Sequence, residues 1–421
     1  MQSLESSSMS AEDQKNSLAL EKMNNHVHSN YSFSPYAPSE IINKAIQFKL
    51  KAVGLMDHDT VAGAYEFIEA GKKSEIHTTV GCEVRAHFSN TAMKKKRLNN
   101  PDEKDIAYIA LHGIPYSSLQ QADEFLRPIR EARFNRTNEE VLKLNQVLSE
   151  RKINIALDMK KEVAVLSRYQ EGGTITERHV LYALSIKLIN THSKGLELVS
   201  LIEDQLHIEI PSDIRDLLLD SSNPFYTYDL LGLLKSSLVP RFFIHSNQIE
   251  CPQVETILSF GEYIGAIPCY AYLGNVNASP TGDKKPQTFE DSFLEELIKE
   301  ISRLGFKAVT YMPPRNSLLQ IMRLQELCIK NTLMQISGVD INSPRQSFDC
   351  SFLLNPEFKN LIDATWALIA HEKLSSSNKL FGLFHPNNPI SSLSLNHKIK
   401  KYAQVGQKLD PFNPCTAKES L

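Results

Sequence analysis

The sequence has no surplus of one charge, no closely spaced cysteine pair and no long apolar run. Among 421 residues, 46 Lys and Arg stand against 49 Asp and Glu, giving a net charge of −3. Beyond the short run Lys94 to Arg97 there is no sustained basic stretch, so we expect neither an extended nucleic acid nor a membrane as partner. No apolar run approaches the roughly 20 residues of a membrane span, and the Ser-rich start lacks the apolar centre of a signal peptide.

Cysteine spacing points to a reducing compartment. The chain has six cysteines and no CxxC pair, at Cys82, Cys251, Cys269, Cys328, Cys350 and Cys415. Such scattered thiols are typical of a reduced protein rather than of a disulfide framework, so the sequence predicts a cytoplasmic location. A hydrophobic content of 42% is enough for a chain of this length to form a buried hydrophobic core.

Short apolar runs alternate with amphipathic segments along most of the chain. The amphipathic segments include 38–50 and 293–305, and the apolar runs are 51–56, 78–83, 106–111, 241–245, 264–270, 307–312 and 334–340. This alternation of strand-like and helix-like patterns is typical of an α/β protein with a parallel sheet or barrel.

One long region breaks the alternation. Residues 118–238 carry helical periodicity with few strand candidates, which predicts an all-α insertion domain between barrel strands. We therefore expect a disordered leader over 1–20, a barrel in two parts over 21–117 and 239–405, and a flexible tail over 406–421. No internal repeat is present.

Polar side chains follow the apolar runs where strand ends would meet. In a barrel of parallel strands the chemistry gathers at the carboxyl ends of the strands. The candidates are His26 and His28 in "HVH", Asp57 and His58 in "MDHDT", Glu83 in "GCE", His112 in "LHG" and Asp340 in "GVDIN". Imidazoles and carboxylates converging at one rim are ligands for Zn, Mn or Fe.

Each of these residues also has an ordinary structural interpretation. A single HxH pair can be a half-exposed strand edge, "DHD" a capped loop, Glu83 a salt-bridge partner and Asp340 a turn residue. The joint pattern favours the metal site. Polar residues that served only solubility would have no reason to occur in three such motifs at three successive strand ends.

Three motifs carry a family resemblance. "HVHSNYSFSP", "AVGLMDHDTVAGAYEF" and "VGCEV", within residues 24–84, resemble the polymerase and histidinol phosphatase (PHP) family of metal-dependent phosphoesterases. "RPIREARFNR" and "TITERHVLYAL" resemble the helical insertion of members that act on nucleoside phosphates or short oligonucleotides. The resemblance implies a distorted TIM-like (β/α)7 barrel that holds two or three ions and activates a water against a phosphate ester.

The resemblance also implies metal ligands. His26, His28, Glu83 and Asp340 match the first metal position. Glu83 would bridge to a second ion, for which His112 is the candidate histidine and Tyr108 the alternative. His58 matches the third position.

Four positions depart from the family pattern. Asn24 and Phe33 stand where the family has Asp, while Tyr272 and Asn342 stand where it has His. An amide or phenol oxygen binds a soft divalent ion less well than imidazole does. We therefore expect one or two ions of Mn, Zn or Fe rather than three.

Other residues are candidates for proton transfer and for substrate binding. Asp57 and His58 are catalytic candidates, and Arg345 is a candidate for both roles. Arg178, His179 and Lys284, the last in the polar loop 272–285, are candidates for binding a phosphate.

The sequence thus predicts a metal-dependent phosphoesterase acting on a small phosphorylated metabolite or nucleotide. The alternative is a catalytically impaired PHP-like barrel that binds a metal or ligand without efficient turnover. A deaminase or amidohydrolase on a similar barrel is disfavoured, because Tyr272 and Asn342 replace the late histidines that such enzymes use.

Overall fold

Seven strands form one sheet that curls into a nearly closed barrel. The computed structural model describes residues 21–275 and 288–410. The strands are β1 (Met23–Val27), β2 (Ala52–His58), β3 (His77–His87), β4 (Ile106–His112), β5 (Ile267–Ala271), β6 (Ala308–Tyr311) and β7 (Met334–Ser337), and they neighbour one another in chain order. The predicted TIM-like α/β barrel is confirmed.

The last strand returns to the first and closes the ring. Beyond the end of β7, Ile341 forms a parallel bridge with Val27 of β1. The amide of His28 donates to the carbonyl of Ile341 at 3.0 Å, and the amide of Ile341 donates to the carbonyl of His26 at 3.3 Å. Closure therefore brings the end of β1 beside the segment that follows β7.

Strand β4 departs from the parallel pattern. It pairs antiparallel with both β3 and β5, while all other neighbours are parallel. No helix lies between β3 and β4 in the described structure, and a parallel crossover normally requires one. As a consequence, the amino-terminal half of β4 lies at the rim where the other strands end.

Helices surround the barrel and fill the long connection between β4 and β5. They are α1 (Pro38–Gln47), α2 (Ala64–Lys73), α3 (Leu119–Glu150), α4 (Glu177–Thr191), α5 (Leu196–Ser200), α6 (Ser212–Leu219), α7 (Tyr226–Phe242), α8 (Val254–Ile264), α9 (Leu294–Leu304), α10 (Leu318–Lys330), α11 (Lys359–Ser377) and α12 (Leu395–Gly406). Helices α8 and α9 end at Gly265 and Gly305, both at positive φ, which turns the chain into the next strand. Every helix in the described part of the chain is too short or too polar to pass through a bilayer.

Helix α3 connects two apolar cores. Its first half contributes Leu119 and Leu126 to the core of the barrel, whereas its second half contributes Leu144 and Leu148 to a separate core formed with α4 to α7. This second core is consistent with the all-α insertion, whose bounds at 118 and 238 stay a prediction.

Two other expectations need comment. The predicted strand at 241–245 is wrong, because α7 continues to Phe242, which is buried in the second apolar core. The predicted leader over 1–20, residues 411–421 of the predicted tail, and Lys284 lie outside the described residues.

Candidate metal centre

Strand β1 and the residue that directly follows it carry two histidines at the edge where the barrel closes. His26 and His28 are buried, while Val27 between them packs into the apolar core. This alternation is what an extended HxH segment dictates, since residues two apart share a face. The pair is thus aimed at the same side of β1.

The histidines meet carboxylates from two other strand ends. His26 Nε2 lies 3.3 Å from Glu83 Oε1, and His58 Nδ1 lies 3.2 Å from Glu83 Oε2. His28 Nε2 lies 3.1 Å from Asp340 Oδ1. Donor atoms within 4.8 Å of one another form two overlapping groups, His26 with His28 and Asp340, and His28 with His58 and Glu83.

The donor atoms fit a divalent ion. His26 Nε2, His28 Nε2 and His58 Nδ1 are buried without a hydrogen bond of acceptable geometry. Burying polar atoms in this way is unfavourable unless something else binds them. Ligands arranged tetrahedrally around zinc lie roughly 3.4 Å from one another, close to the separations seen here. The five side chains therefore suit one ion, or two ions that share Glu83.

Electrostatics keeps two of the histidines in the form that binds metal. Burial lowers the pKa of His26 to about 4 and that of His58 well below its usual value. Both rings are therefore neutral at pH 7 and have a lone pair available. Burial raises the pKa of Glu83 to about 8, so a metal ion would compete with a proton for this carboxylate.

The contact between His28 and Asp340 favours the charged form of each side chain. Burial disfavours both charges, but the contact with Asp340 raises the pKa of His28. The same contact with His28 holds the pKa of Asp340 below its usual value. A metal ion would replace the His28 proton as the partner of the Asp340 carboxylate.

The structure does not bring His112 into either group of donors. Because β4 is antiparallel, His112 pairs with Ile267 at the start of β5, deeper in the barrel than the rim. Its ring is buried, which lowers its pKa to about 3. Tyr108, the alternative from the sequence, lies at the rim instead, with its ring centroid 5.7 Å from that of His58.

Asp57 supports the loop after β1 rather than lining the cavity. Its carboxylate accepts hydrogen bonds from the amide of Ser29 at 2.7 Å, from the hydroxyl of Ser29 at 2.6 Å and from the hydroxyl of Ser32 at 2.6 Å. The predicted catalytic role of Asp57 therefore gains no support from its position, whereas His58 lines the cavity.

A cavity of about 170 Å³ opens beside the metal ligands. His26, His58, Glu83 and Asp340 line one part of it. Four cationic side chains also line it, together with apolar groups: Arg133, Arg178, Lys235 and Arg315, and Phe33, Val239, Phe243, Tyr272 and Leu273. The cavity thus combines metal ligands, positive charge and an apolar wall.

Two predicted substrate-binding residues lie elsewhere. Arg345 donates to both carboxylate oxygens of Asp229 at 2.6 Å, and it does not line the cavity. His179 lies near the start of α4, where its Nδ1 accepts from the amide of Thr176 at 3.0 Å. Both positions indicate structural roles. Arg178, in contrast, lines the cavity as expected.

Asn342 and Tyr272, two of the departures from the family pattern, lie at the cavity and form hydrogen bonds there. Asn342 donates from Nδ2 to Asp340 Oδ1 at 2.8 Å and accepts at Oδ1 from Arg178 at 2.7 Å. The hydroxyl of Tyr272 donates to Asp291. Asn342 therefore links a metal ligand to a cation of the cavity.

A buried ionic network joins the barrel to the helices and was not anticipated from the sequence. Arg133 donates to Asp59 at 2.6 Å, and Arg136 contacts Glu177 at 2.6 Å and Glu250 at 2.7 Å. Arg133 and Arg136 lie one turn apart on α3, and Arg130 lies one turn before them. The three-residue spacing of arginines in "RPIREARFNR" was the available signal, because it predicts one charged helix face.

Fold and donor set together define a barrel with a divalent-metal site at its rim. Residues 24–205 match the profile of the PHP domain. This part of the chain is therefore similar to the PHP domain, and the match supports a metal-dependent hydrolase.

A solved structure shares the fold. A Bifidobacterium adolescentis protein described as a metal-dependent phosphoesterase aligns with a TM-score of 0.50 at 16% identity, covering 77% of this chain and 89% of its own. A Chromobacterium violaceum amidohydrolase aligns with a TM-score of 0.49 at 16% identity, covering 77% of this chain and 88% of its own.

Curated DNA polymerases match this chain over a short region. The error-prone DNA polymerase of Nocardia farcinica is 36% identical over 72 residues, which are 17% of this chain and 6% of the polymerase. DNA polymerase III subunit alpha of Chlamydia trachomatis is 34% identical over 73 residues, also 17% and 6%. The chain thus spans only 6% of the length of these relatives.

Proposed function

We propose that the protein is a metal-dependent phosphoesterase that hydrolyses a phosphate ester of a small metabolite or nucleotide. The observation that carries the proposal is the set of buried, unbonded nitrogens of His26, His28 and His58, which face two carboxylates in a cavity that also contains arginines. Metal ligands and fixed cations in one cavity suit a substrate with concentrated negative charge.

His26, His28, Glu83 and Asp340 would hold the first ion, and His58 with Glu83 would contribute to a second. A bound Mn, Zn or Fe ion would supply an acidified water and would withdraw charge from the phosphoryl group. Residues next to the proposed ligands hold the backbone segments that carry them. Asp57 orders the loop that follows His28, and the positive φ of Asp59 turns the chain directly after His58.

The cationic side chains would orient the phosphate. Arg133 is held by Asp59 from the barrel and faces Glu177 of α4 at 3.5 Å, so its guanidinium is fixed before substrate arrives. Arg178 is fixed by Asn342. Preorganised donors of this kind stabilise charge that develops on phosphoryl oxygens in the transition state.

The size of the cavity favours a small substrate. About 170 Å³ flanked by Phe33, Val239 and Phe243 suits a phosphate with a compact organic group, and we propose no extended nucleic acid as partner. Because a short region matches DNA polymerases, the assay should also test whether a single-stranded oligonucleotide competes with the small substrates.

A second candidate function is supported by the substituted positions. Phe33, Tyr272 and Asn342 provide no imidazole or carboxylate, and each has a packing or hydrogen-bonding role. On this alternative the barrel binds a metal or ligand without efficient turnover.

One experiment separates the two functions. Chelator-stripped protein would be reloaded with Mn, Zn or Fe and assayed for bound metal and for phosphate release from phosphomonoesters, nucleotides and dinucleotides. The phosphoesterase proposal predicts turnover that requires metal and is lost in His26→Ala/His28→Ala. Metal retention without turnover on the panel would favour the second candidate, and the absence of both bound metal and turnover would contradict the phosphoesterase proposal.

A further inference from the structure

The side chain of Arg178 is held in a fixed position beside the metal ligands. Its Nη1 donates to Asn342 Oδ1 at 2.7 Å, and its guanidinium carbon lies 5.6 Å from the centre of the Phe33 ring. Phe33 is itself buried and packs edge-on against His179 at 5.0 Å. Two side chains from distant parts of the sequence therefore define where the positive charge lies.

This charge is connected to the metal ligands through one amide. Asn342 Nδ2 donates to Asp340 Oδ1 at 2.8 Å, and the same oxygen lies 3.1 Å from His28 Nε2. Arg178, Asn342, Asp340 and His28 thus form a continuous chain of polar contacts. The cation can be close to the ligands without pairing directly with their carboxylate, because the amide lies between them.

The donor atoms for metal occupy the other part of the site. Within residues 21–275 and 288–410, both groups of potential ligands are built around His28, with His26 and Asp340 in one and His58 and Glu83 in the other. The side chains that contact Arg178 include the ring of Phe33 and the amide of Asn342. Neither side chain is a ligand that a soft divalent ion prefers.

We propose that Arg178 supplies the positive charge that a further metal ion would otherwise supply, so that the centre combines metal with a fixed guanidinium. This inference rests on the proposed function, because it assigns Arg178 to a phosphoryl oxygen at the same site. Phe33 and Asn342 are two of the four positions that depart from the family pattern, and both contact Arg178.

The chemistry of the guanidinium suits this role. Its planar array of N–H donors can hold an amide oxygen and a phosphoryl oxygen together. Charge-assisted hydrogen bonds to an anion are stronger than neutral ones. The substrate class is accordingly a dianionic phosphoryl group bound between metal on one side and Arg178 on the other.

The test measures binding rather than turnover. Wild-type protein, Arg178→Gln and Arg178→Lys would be saturated with Mn, and bound Mn per chain and the dissociation constant for inorganic phosphate would be determined. We expect no more than two Mn per chain in all three proteins. We expect phosphate affinity to fall about 10- to 100-fold in Arg178→Gln and less in Arg178→Lys.

A matched control tests the general effect of removing an arginine. Arg215 lies on α6 in an ion pair with Glu203, so Arg215→Gln should bind phosphate as the wild type does. Unchanged phosphate affinity in Arg178→Gln would overturn the inference. So would loss of Mn from this variant, because Arg178 would then act through the ligands, or three Mn per chain in the wild type.

The outcome is separable from that of the proposed function. If phosphate binding depends on Arg178 but no ester is hydrolysed, the phosphoesterase proposal fails and the charge substitution stands. If esters are hydrolysed while phosphate affinity is independent of Arg178, only the charge substitution fails.

Discussion

The side chain of Asn24 pairs with the backbone of Val339 as a neighbouring strand would. Asn24 Nδ2 donates to the carbonyl of Val339 at 2.9 Å, and Asn24 Oδ1 accepts from the amide of Val339 at 2.8 Å. The same Oδ1 accepts from the amide of His26 at 3.1 Å. One amide therefore links the two edges of the barrel and holds the backbone of His26, the first proposed metal ligand.

Replacing Asn24 by aspartate should destabilise the fold. The carboxylate keeps the acceptor but loses the donor, and it sets a negative charge against the carbonyl of Val339 at a fully buried site. We expect the free energy of unfolding to fall by at least about 2 kcal/mol, measured by urea denaturation. Asn396→Asp, at an exposed position of α12, should change it by less than about 0.5 kcal/mol. Equal effects of the two substitutions would contradict this account.

The meeting of these imidazoles and carboxylates could be predicted from the sequence because parallel strands end at one rim. His26, His28, His58 and Glu83 follow directly from this rule, since each lies at or near the end of a predicted strand. The same rule places His112 at the rim, whereas the structure places it deeper in the barrel, because the rule assumes a parallel strand and β4 is antiparallel. The connection without a helix between β3 and β4 was the clue to its direction.

Long-range pairings could not be predicted in this way. Arg345 pairs with Asp229, and Arg136 pairs with Glu250, both across more than 100 residues of sequence. Local periodicity carries no information on such contacts, because they depend on how the helices pack against the barrel. The same applies to Asn342, whose two partners come from its own loop and from α4.

His28 should dominate metal binding, whereas His112 should not contribute. His28 belongs to both groups of donor atoms, while His112 belongs to neither. We expect His28→Ala to weaken Mn or Zn affinity at least about 100-fold, measured by equilibrium dialysis. His112→Ala should retain the metal but lower thermal stability, since it leaves a cavity at a buried site. Loss of metal in His112→Ala would contradict this prediction and would indicate that His112 is a metal ligand.

Glu290 should make stability depend on pH between about 4.5 and 7. Burial raises the pKa of this carboxyl to about 7, from an ordinary value of 4.5. The folded state therefore binds one more proton than the unfolded state in this interval, so stability falls as pH rises through it and levels off above pH 7. The loss amounts to ~3 kcal/mol at most.

Glu290→Gln provides the measurement. The amide stays neutral and can still accept from Tyr270, whose hydroxyl donates to Glu290 at 2.9 Å. The variant should lose less stability than the wild type between pH 5 and pH 7.5 in urea denaturation. Glu295→Gln, exposed on α9, should follow the wild type. If the free energy of unfolding changed with pH to the same extent in the wild type and in Glu290→Gln, this carboxyl would not be the cause of the pH dependence.

Gly338 should control the position of His26 because no side chain fits between them. A β-carbon added to Gly338 would overlap the Cβ of His26 and lie 3.0 Å from its backbone nitrogen. We expect Gly338→Ala to displace His26 and to weaken metal affinity about 10-fold or more, measured by titration with Mn or Zn. In Gly305→Ala the new Cβ has open space, but the residue has a φ of 102°, so the strain of about 1–2 kcal/mol should lower stability and leave metal affinity unchanged. If both variants bind metal like the wild type, the close contact between Gly338 and His26 is needed for closing the barrel and not for metal binding.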